Sequence, residues 1–135
     1  MKLILVSHSE FANGIRSAVD MIIGANDDVV AFGLMPGNDM DVLEGKINDY
    51  LKDVPENEEI LVLSDMFFGS PFNTVVRMMM NGRHFYHVTG MNLAMVLEAV
   101  SAMGEGASAK EIGEGLIESG REGILSANQQ YNIEY

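Results

Sequence analysis

Apolar residues along the chain form short continuous runs that alternate with stripes at helical spacing. The four runs, which span Leu3 to Val6, Val29 to Met35, Ile60 to Leu63 and Phe85 to Thr89, predict β-strands. The first and third runs are wholly aliphatic, a pattern typical of parallel strands that are covered on both faces. We therefore expect a sheet buried between two layers of other elements.

Helical stripes separate and follow these runs. Five helices are predicted: from Phe11 to Ile22, through Leu43 to Leu51, from Ser70 onward, from Asn92 to Met103, and from Ser108 onward. Gly24 is a stop signal for the first helix, and Asp39 is a plausible N-cap for the second. Ser70 is interpreted as the cap of the third helix with Pro71 at its first position, and Ser108 and Glu111 form a capping box.

Strands that alternate with helices predict an α/β fold, an open parallel sheet with helices on both faces. The last residues, Tyr131 to Tyr135, read as a short strand-like tail. No linker or internal repeat divides the sequence. We therefore expect one domain over residues 1–135.

Composition narrows the classes of function. The net charge of −12 over 135 residues argues against a nucleic-acid partner and against contact with anionic lipid. The chain has no cysteine, which excludes thiolate chemistry and disulfides. The apolar N-terminal run ends at Ser7, too early for a signal peptide, so we expect a cytoplasmic protein. The three histidines lack metal-ligand spacing and no phosphate-binding P-loop occurs, so no metal, cofactor or ATP is expected.

Candidate chemistry gathers where the strands end. His8 follows the first strand and Asp65 follows the third, and sites in open α/β sheets lie beyond the carboxyl ends of the strands. A histidine can act as a nucleophile near neutral pH. If the two strands are neighbours, the carboxylate of Asp65 can hold one ring nitrogen of His8 and leave the other free.

Gly69 and Ser70 open the third helix, whose free N–H groups and dipole would form an anion site. A nucleophile, an orienting carboxylate and an anion site together favour phosphoryl transfer to histidine. The alternatives are that His8 is an ordinary loop residue and that Asp65 is a cap or turn residue. His84 and His87 lie at the start of and within the fourth strand, away from its carboxyl end, and are interpreted as structural.

Taken together, these residues resemble the enzyme IIA component of the mannose-type (mannose/fructose/sorbose) bacterial phosphotransferase system. The likeness covers essentially all of the chain and rests on fragments that occur in family order. They are Leu5-Val6-Ser7-His8 with Phe11, Ala12 and Gly14; Ala18 to Gly24; Asp65 with Gly69-Ser70-Pro71-Phe72-Asn73; Thr89 to Met95 with Leu97 and Glu98; and Gly120 to Ile124.

The resemblance implies the strand order 2-1-3-4, with His8 and Asp65 side by side. It implies a homodimer in which a C-terminal strand, here Tyr131 to Tyr135, is exchanged between subunits. It also implies that phospho-HPr phosphorylates His8 and that a IIB component then accepts the phosphoryl group. Contact with the membrane would be only indirect, through the transporter subunits of the sugar-uptake system.

Two positions depart from the family pattern, because Ser9 and Phe68 stand where the family usually has glycine. Glycine is used where the backbone needs a positive φ or a close approach. The sequence therefore does not determine the backbone conformation of these two loops. Ser9 is interpreted as a further donor to the phosphate.

Two alternatives to this function remain. The phosphocarrier subunit of a dihydroxyacetone kinase shares the fold and the early histidine, although the segment from Ser70 to Asn73 fits the mannose-type family better. The other alternative is a regulatory binding module that carries no phosphate.

Overall fold

A computed structural model describes the whole chain, residues Met1–Tyr135. Its four strands and six helices follow the order β1 (Lys2–His8), α1 (Phe11–Ile23), β2 (Val29–Leu34), α2 (Met40–Leu51), β3 (Ile60–Ser64), α3 (Ser70–Met80), β4 (Tyr86–Thr89), α4 (Leu93–Met103), α5 (Ala109–Glu122) and α6 (Ala127–Tyr131). None of the helices is both long and apolar enough to cross a membrane.

The four strands form one parallel sheet in the order β2-β1-β3-β4, which confirms the order that the family resemblance implied. Val6 pairs with Ser64, the last residue of β3, whereas His8 pairs with Leu34 of β2. Strand β1 therefore continues past the end of β3. His8 is the last residue of a central strand and not, as the sequence suggested, part of the loop that follows it.

Alternation along β1 divides the core between the two faces of the sheet. Leu3 and Leu5 join a cluster with α1, α4 and α5. Ile4 and Val6 join a second cluster with α2 and α3. The prediction of helices on both faces is confirmed. Helix α3 packs on the face of the sheet that carries Ile4 and Val6.

Helix α3 begins one residue earlier in the chain than the sequence suggested. The N–H of Asn73 donates to the carbonyl of Gly69 over 2.9 Å, so Gly69 is the N-cap and Ser70 is the first helical residue. The prediction that Ser70 caps this helix is therefore wrong. The predicted cap at Asp39 and the capping box of Ser108 are confirmed.

The predicted strand over Tyr131 to Tyr135 is also wrong for the single chain. Residues Ala127–Tyr131 form α6, which Ser126 caps, and Asn132 ends this helix with a φ of 54°. A strand needs a neighbour for its N–H and C=O groups, whereas here the N–H of Ile133 donates locally to Asn128 over 2.9 Å.

Candidate active site

The side chains of His8 and Asp65 lie in direct contact at the carboxyl edge of the sheet. Nδ1 of His8 is 2.6 Å from Oδ2 of Asp65, and the same oxygen accepts the backbone N–H of His8 over 2.8 Å. The contact arises because β1 overhangs β3, so that His8 sits beside the first residue after β3. About half of the His8 side chain, 47%, is exposed, compared with 13% for Asp65.

The carboxylate of Asp65 is held on both of its oxygens. Oδ1 accepts the N–H of Met66 over 2.9 Å, while the backbone N–H of Asp65 donates to the carbonyl of Val6 over 3.2 Å. These contacts fix the plane of the carboxylate before any ligand arrives. When the ring of His8 is neutral and Nδ1 carries its proton, Nε2 presents a lone pair.

Gly69 lies directly against the ring of His8. A Cβ atom placed on Gly69 would be 2.7 Å from Cε1 and 3.3 Å from Nε2 of His8. Its φ of −81° is one that any residue can adopt, so glycine is needed here for the close approach. The N-terminus of α3, whose first N–H groups have no partner within the helix, therefore lies beside Nε2.

Ser9 and Phe68, which replace family glycines, both have the left-handed backbone that glycine favours. Their φ angles are 46° and 62°. The N–H of Ser9 donates to the carbonyl of Leu34 over 2.8 Å, and its own carbonyl occupies the space where a side chain on Gly33 would lie. The glycine-type loop shape is thus retained, at a cost of about 1–2 kcal/mol per residue.

Large apolar side chains surround this site on the outside of the protein. Phe68 is 73% exposed, Phe67 is 58% exposed and Met66 is 54% exposed, and Phe11 at the start of α1 is half exposed. The rings of Phe67 and Phe68 pack in a tilted arrangement with centroids 4.1 Å apart, and both contact Phe72. We call Phe11, Met66, Phe67 and Phe68 the apolar rim.

Sequence reasoning missed two buried serines that support the site. The hydroxyl of Ser7 accepts the N–H of Ala12 over 2.7 Å and donates to the carbonyl of His8 over 3.0 Å, so it fixes the turn into α1. Ser64 lies at the end of β3 and is 2.7 Å from a ring nitrogen of His87. The sequence signal that could have identified them is that a serine directly follows each of the two wholly aliphatic runs.

The other two histidines lie in different surroundings. His84 is exposed and precedes β4, at the amino end of the sheet. His87 is partly buried inside β4, and burial lowers its pKa to about 4. No three His, Cys, Asp or Glu side chains are grouped so that they could hold a metal ion.

Comparison with known proteins gives a consistent picture. A protein-family model described as the fructose IIA component of the phosphotransferase system matches residues 2–117. A fructose-specific EIIA component of Bacillus subtilis is 29% identical over 101 residues, which cover 75% of this chain and 69% of that protein. A sorbose-specific EIIA component of Lacticaseibacillus casei is 30% identical over 76% of this chain and 74% of its own length.

A mannose-specific EIIAB component of Escherichia coli is 27% identical over 90% of this chain, which spans only 38% of that longer protein. Among solved structures, an EIIA component from Streptococcus agalactiae superposes with a TM-score of 0.86 at 28% identity, covering 95% of this chain and 98% of its own. A mannose/sorbose-specific IIA subunit from Enterococcus faecalis superposes with a TM-score of 0.82 at 27% identity, covering 93% and 92% of the two chains.

Proposed function

Because this chain belongs to the mannose-type EIIA family of sugar phosphotransferase components, we propose that it accepts a phosphoryl group from phospho-HPr on His8 and passes it to a IIB component. The observation that carries the proposal is the 2.6 Å contact between Nδ1 of His8 and Asp65, which leaves Nε2 as the free nucleophile. The N-terminus of α3 beside that nitrogen supports it.

The proposed reaction needs no reactant besides the phosphohistidine of HPr and His8. The lone pair of Nε2 attacks the phosphorus atom, the N–P bond in phospho-HPr breaks, and its electron pair returns to the donor histidine. His8 then holds a proton on Nδ1 and the phosphoryl group on Nε2, and the carboxylate of Asp65 compensates the positive charge on the ring. Transfer to IIB reverses these events at His8.

Three residues are proposed to support the phosphoryl group. Gly69 allows the N-terminus of α3 to approach the ring closely, and the N–H of Ser70 in the first turn of α3 provides a donor for the phosphoryl oxygens. Ser9 follows His8 directly and is exposed, so its hydroxyl is available as a further donor. Neither a metal nor a cofactor is part of the proposed step.

The apolar rim supports the proposal that the donor and the acceptor of the phosphoryl group are proteins and not small molecules. Several large apolar side chains grouped around an exposed nucleophile are typical of a surface that another protein covers. This observation does not separate the carrier from the dihydroxyacetone kinase subunit, since that alternative also exchanges phosphate with proteins.

The remaining parts of the proposal concern the assembly. We propose that residues 1–135 act as one IIA domain in the cytoplasm, as a homodimer. The exposed apolar side chains of Ile124, Leu125, Tyr131 and Ile133 support the dimer, because they would be covered by a second subunit. Exchange of the C-terminal segment would require α6 to open first.

Phosphorylation with purified enzyme I, HPr and phosphoenolpyruvate tests the function. We expect one phosphoryl group per chain, which is absent from a His8→Ala variant and passes on to a IIB component. Failure of phospho-HPr to label a folded wild-type protein would favour the regulatory module. Labelling that is then delivered to a dihydroxyacetone kinase and not to IIB would favour the other alternative.

A further inference from the structure

A second histidine takes part in a polar cluster directly behind the proposed site. Nε2 of His87 lies 2.7 Å from the hydroxyl of Ser64, which in turn lies 3.0 Å from the hydroxyl oxygen of Thr89. Ser64 ends β3 and pairs with Thr89 of β4. His87 lies two residues before Thr89 in β4 and pairs with Val62. The proposed function uses none of them.

The hydroxyl of Ser64 bridges His87 and Thr89. Both hydroxyls can donate or accept, so the proton shared by Ser64 and His87 can belong to either partner. The pKa of His87, lowered by burial to about 4, keeps the ring neutral at pH 7. His87 is therefore a neutral hydrogen-bond partner of Ser64, either as a donor from Nε2–H or as an acceptor at Nε2.

Two structural connections link this cluster to the proposed site. The first runs along the chain, because Ser64, fully buried, directly precedes Asp65, whose carboxylate holds His8. The second runs through α3, because the ring of His87 packs on Phe72 with centroids 5.1 Å apart. Phe72 lies in the first turn of α3, next to the N-terminus that lies against His8.

We propose that His87 is a positioning residue for phosphoryl transfer at His8, through its hydrogen bond to Ser64 and its packing on Phe72. The inference rests on the proposed carrier function. His87 ties β4 to the end of β3 and supports the first turn of α3. It thereby sets both the carboxylate on one side of the His8 ring and the helix N-terminus on the other, without touching the phosphoryl group itself.

Two substitutions at this position separate positioning from packing. His87→Leu fills a similar volume without a hydrogen-bonding group, whereas the amide group in His87→Gln can donate or accept in place of Nε2. At saturating phospho-HPr, we expect the maximal transfer rate of His87→Leu to fall about tenfold with little change in the half-saturating concentration, as for the loss of one hydrogen bond. His87→Gln should stay within about threefold of the wild type.

Nitrogen NMR of His8 in the unphosphorylated protein provides a readout that does not depend on the partner proteins. The Nδ1 resonance should shift in His87→Leu and return toward the wild-type position in His87→Gln. If His87→Leu does not fold, Ser64→Ala removes the same hydrogen bond from the other side with a smaller change in volume, and it should give the same shift.

The inference is wrong if folded His87→Leu transfers at the wild-type rate with an unchanged His8 spectrum, or if the Leu and Gln variants lose activity equally. A wild-type protein that phospho-HPr does not label would instead contradict the proposed function. In that case, the spectral comparison of the same variants still decides whether His87 positions His8.

Discussion

The ring of His8 and the Cα of Gly69 are in contact, with no room for a side chain between them. This contact joins the proposed nucleophile to the helix that would bind its phosphate. Since the backbone of Gly69 has a φ that alanine also adopts, a methyl group here would act mainly through the atoms it meets, the ring of His8 and Cγ of Met66 at 3.2 Å, and not through backbone strain.

Gly69→Ala should therefore slow phosphorylation by phospho-HPr by about 10- to 100-fold, the effect of a misplacement of roughly 1 Å. The thermal midpoint should change little. Rapid-quench measurement of phosphate incorporation checks the rate, and Gly14→Ala, at a position with open space around it, is the matched control. Equal rates for both variants would contradict the assigned contact.

Asp65→Asn keeps the size of the side chain but removes its charge, and its amide can orient to favour the wrong tautomer of His8. We expect transfer to slow by roughly 100-fold or more, by analogy with carboxylate-to-amide changes beside other reactive histidines. The oligomeric state and circular dichroism should not change, and His84→Ala should transfer normally. Proton-coupled nitrogen NMR should find the phosphate on Nε2, and a phosphate on Nδ1 would overturn the orienting role of Asp65.

Ser9→Gly should stabilise the protein by about 0.5–1 kcal/mol, because strain at a φ of 46° is relieved while glycine adds freedom to the unfolded chain. Urea unfolding measures this difference. Ser9→Ala retains the Cβ atom and hence the strain, so it should bring no gain. A stabilising alanine would show that the hydroxyl, and not the backbone, is the unfavourable feature.

Phe68→Gly should affect stability and docking differently. Relief of strain is offset by the loss of aromatic contacts with Phe67 and Phe72, so the free energy of unfolding should change by less than about 1 kcal/mol. The half-saturating concentration of phospho-HPr should rise several-fold because part of the apolar rim is lost. An unchanged half-saturating concentration would remove Phe68 from the docking surface.

His87 should make stability depend on pH. Its pKa is about 4 in the folded protein and 6.5 when unfolded, so between these values the unfolded chain binds a proton that the folded chain does not. The free energy of unfolding therefore falls as the pH drops from 6.5 toward 4, by up to about 3 kcal/mol. Urea titrations should show a flatter profile for His87→Gln, and parallel profiles would contradict the burial of a neutral ring.

Deleting residues 124–135 should weaken the proposed dimer without unfolding the sheet, because these residues are exposed and lie outside both core clusters. Sedimentation velocity at micromolar concentration measures the change. A wild-type protein that sediments only as a monomer would contradict the dimer, and an intact dimer after the deletion would place the interface elsewhere.

Most of the fold was predictable because it depends on local patterns. The aliphatic run from Leu3 to Val6 and the caps at Asp39 and Ser108 determine strand and helix positions from neighbouring residues alone. The end of β1 was not predictable, because His8 joins the strand only through pairing with Leu34 of β2. The C-terminal tail is not a strand in the single chain, because alternating tyrosine and isoleucine suit a strand only where a partner strand exists.

Within the site, proximity was predictable and conformation was not. The pair of His8 and Asp65 followed from strand ends and family resemblance. The left-handed backbone of Ser9 and Phe68 could not be predicted from these residue types, since serine and phenylalanine rarely adopt it, and the family glycines at both positions were the only signal. The bond between His87 and Ser64 depends on the register of β3 against β4, which no local pattern encodes.

His8 ends the row of β1 side chains that starts with the buried residues Ile4 and Val6. A shift of β1 by one residue would move this row to the other face of the sheet and carry the imidazole away from Asp65. Only chains with correctly paired strands could then hold phosphate. The fraction of a refolded sample that phospho-HPr can label would thus measure the share of natively folded molecules. This measurement would also apply to variants whose helical content does not differ from that of the wild type.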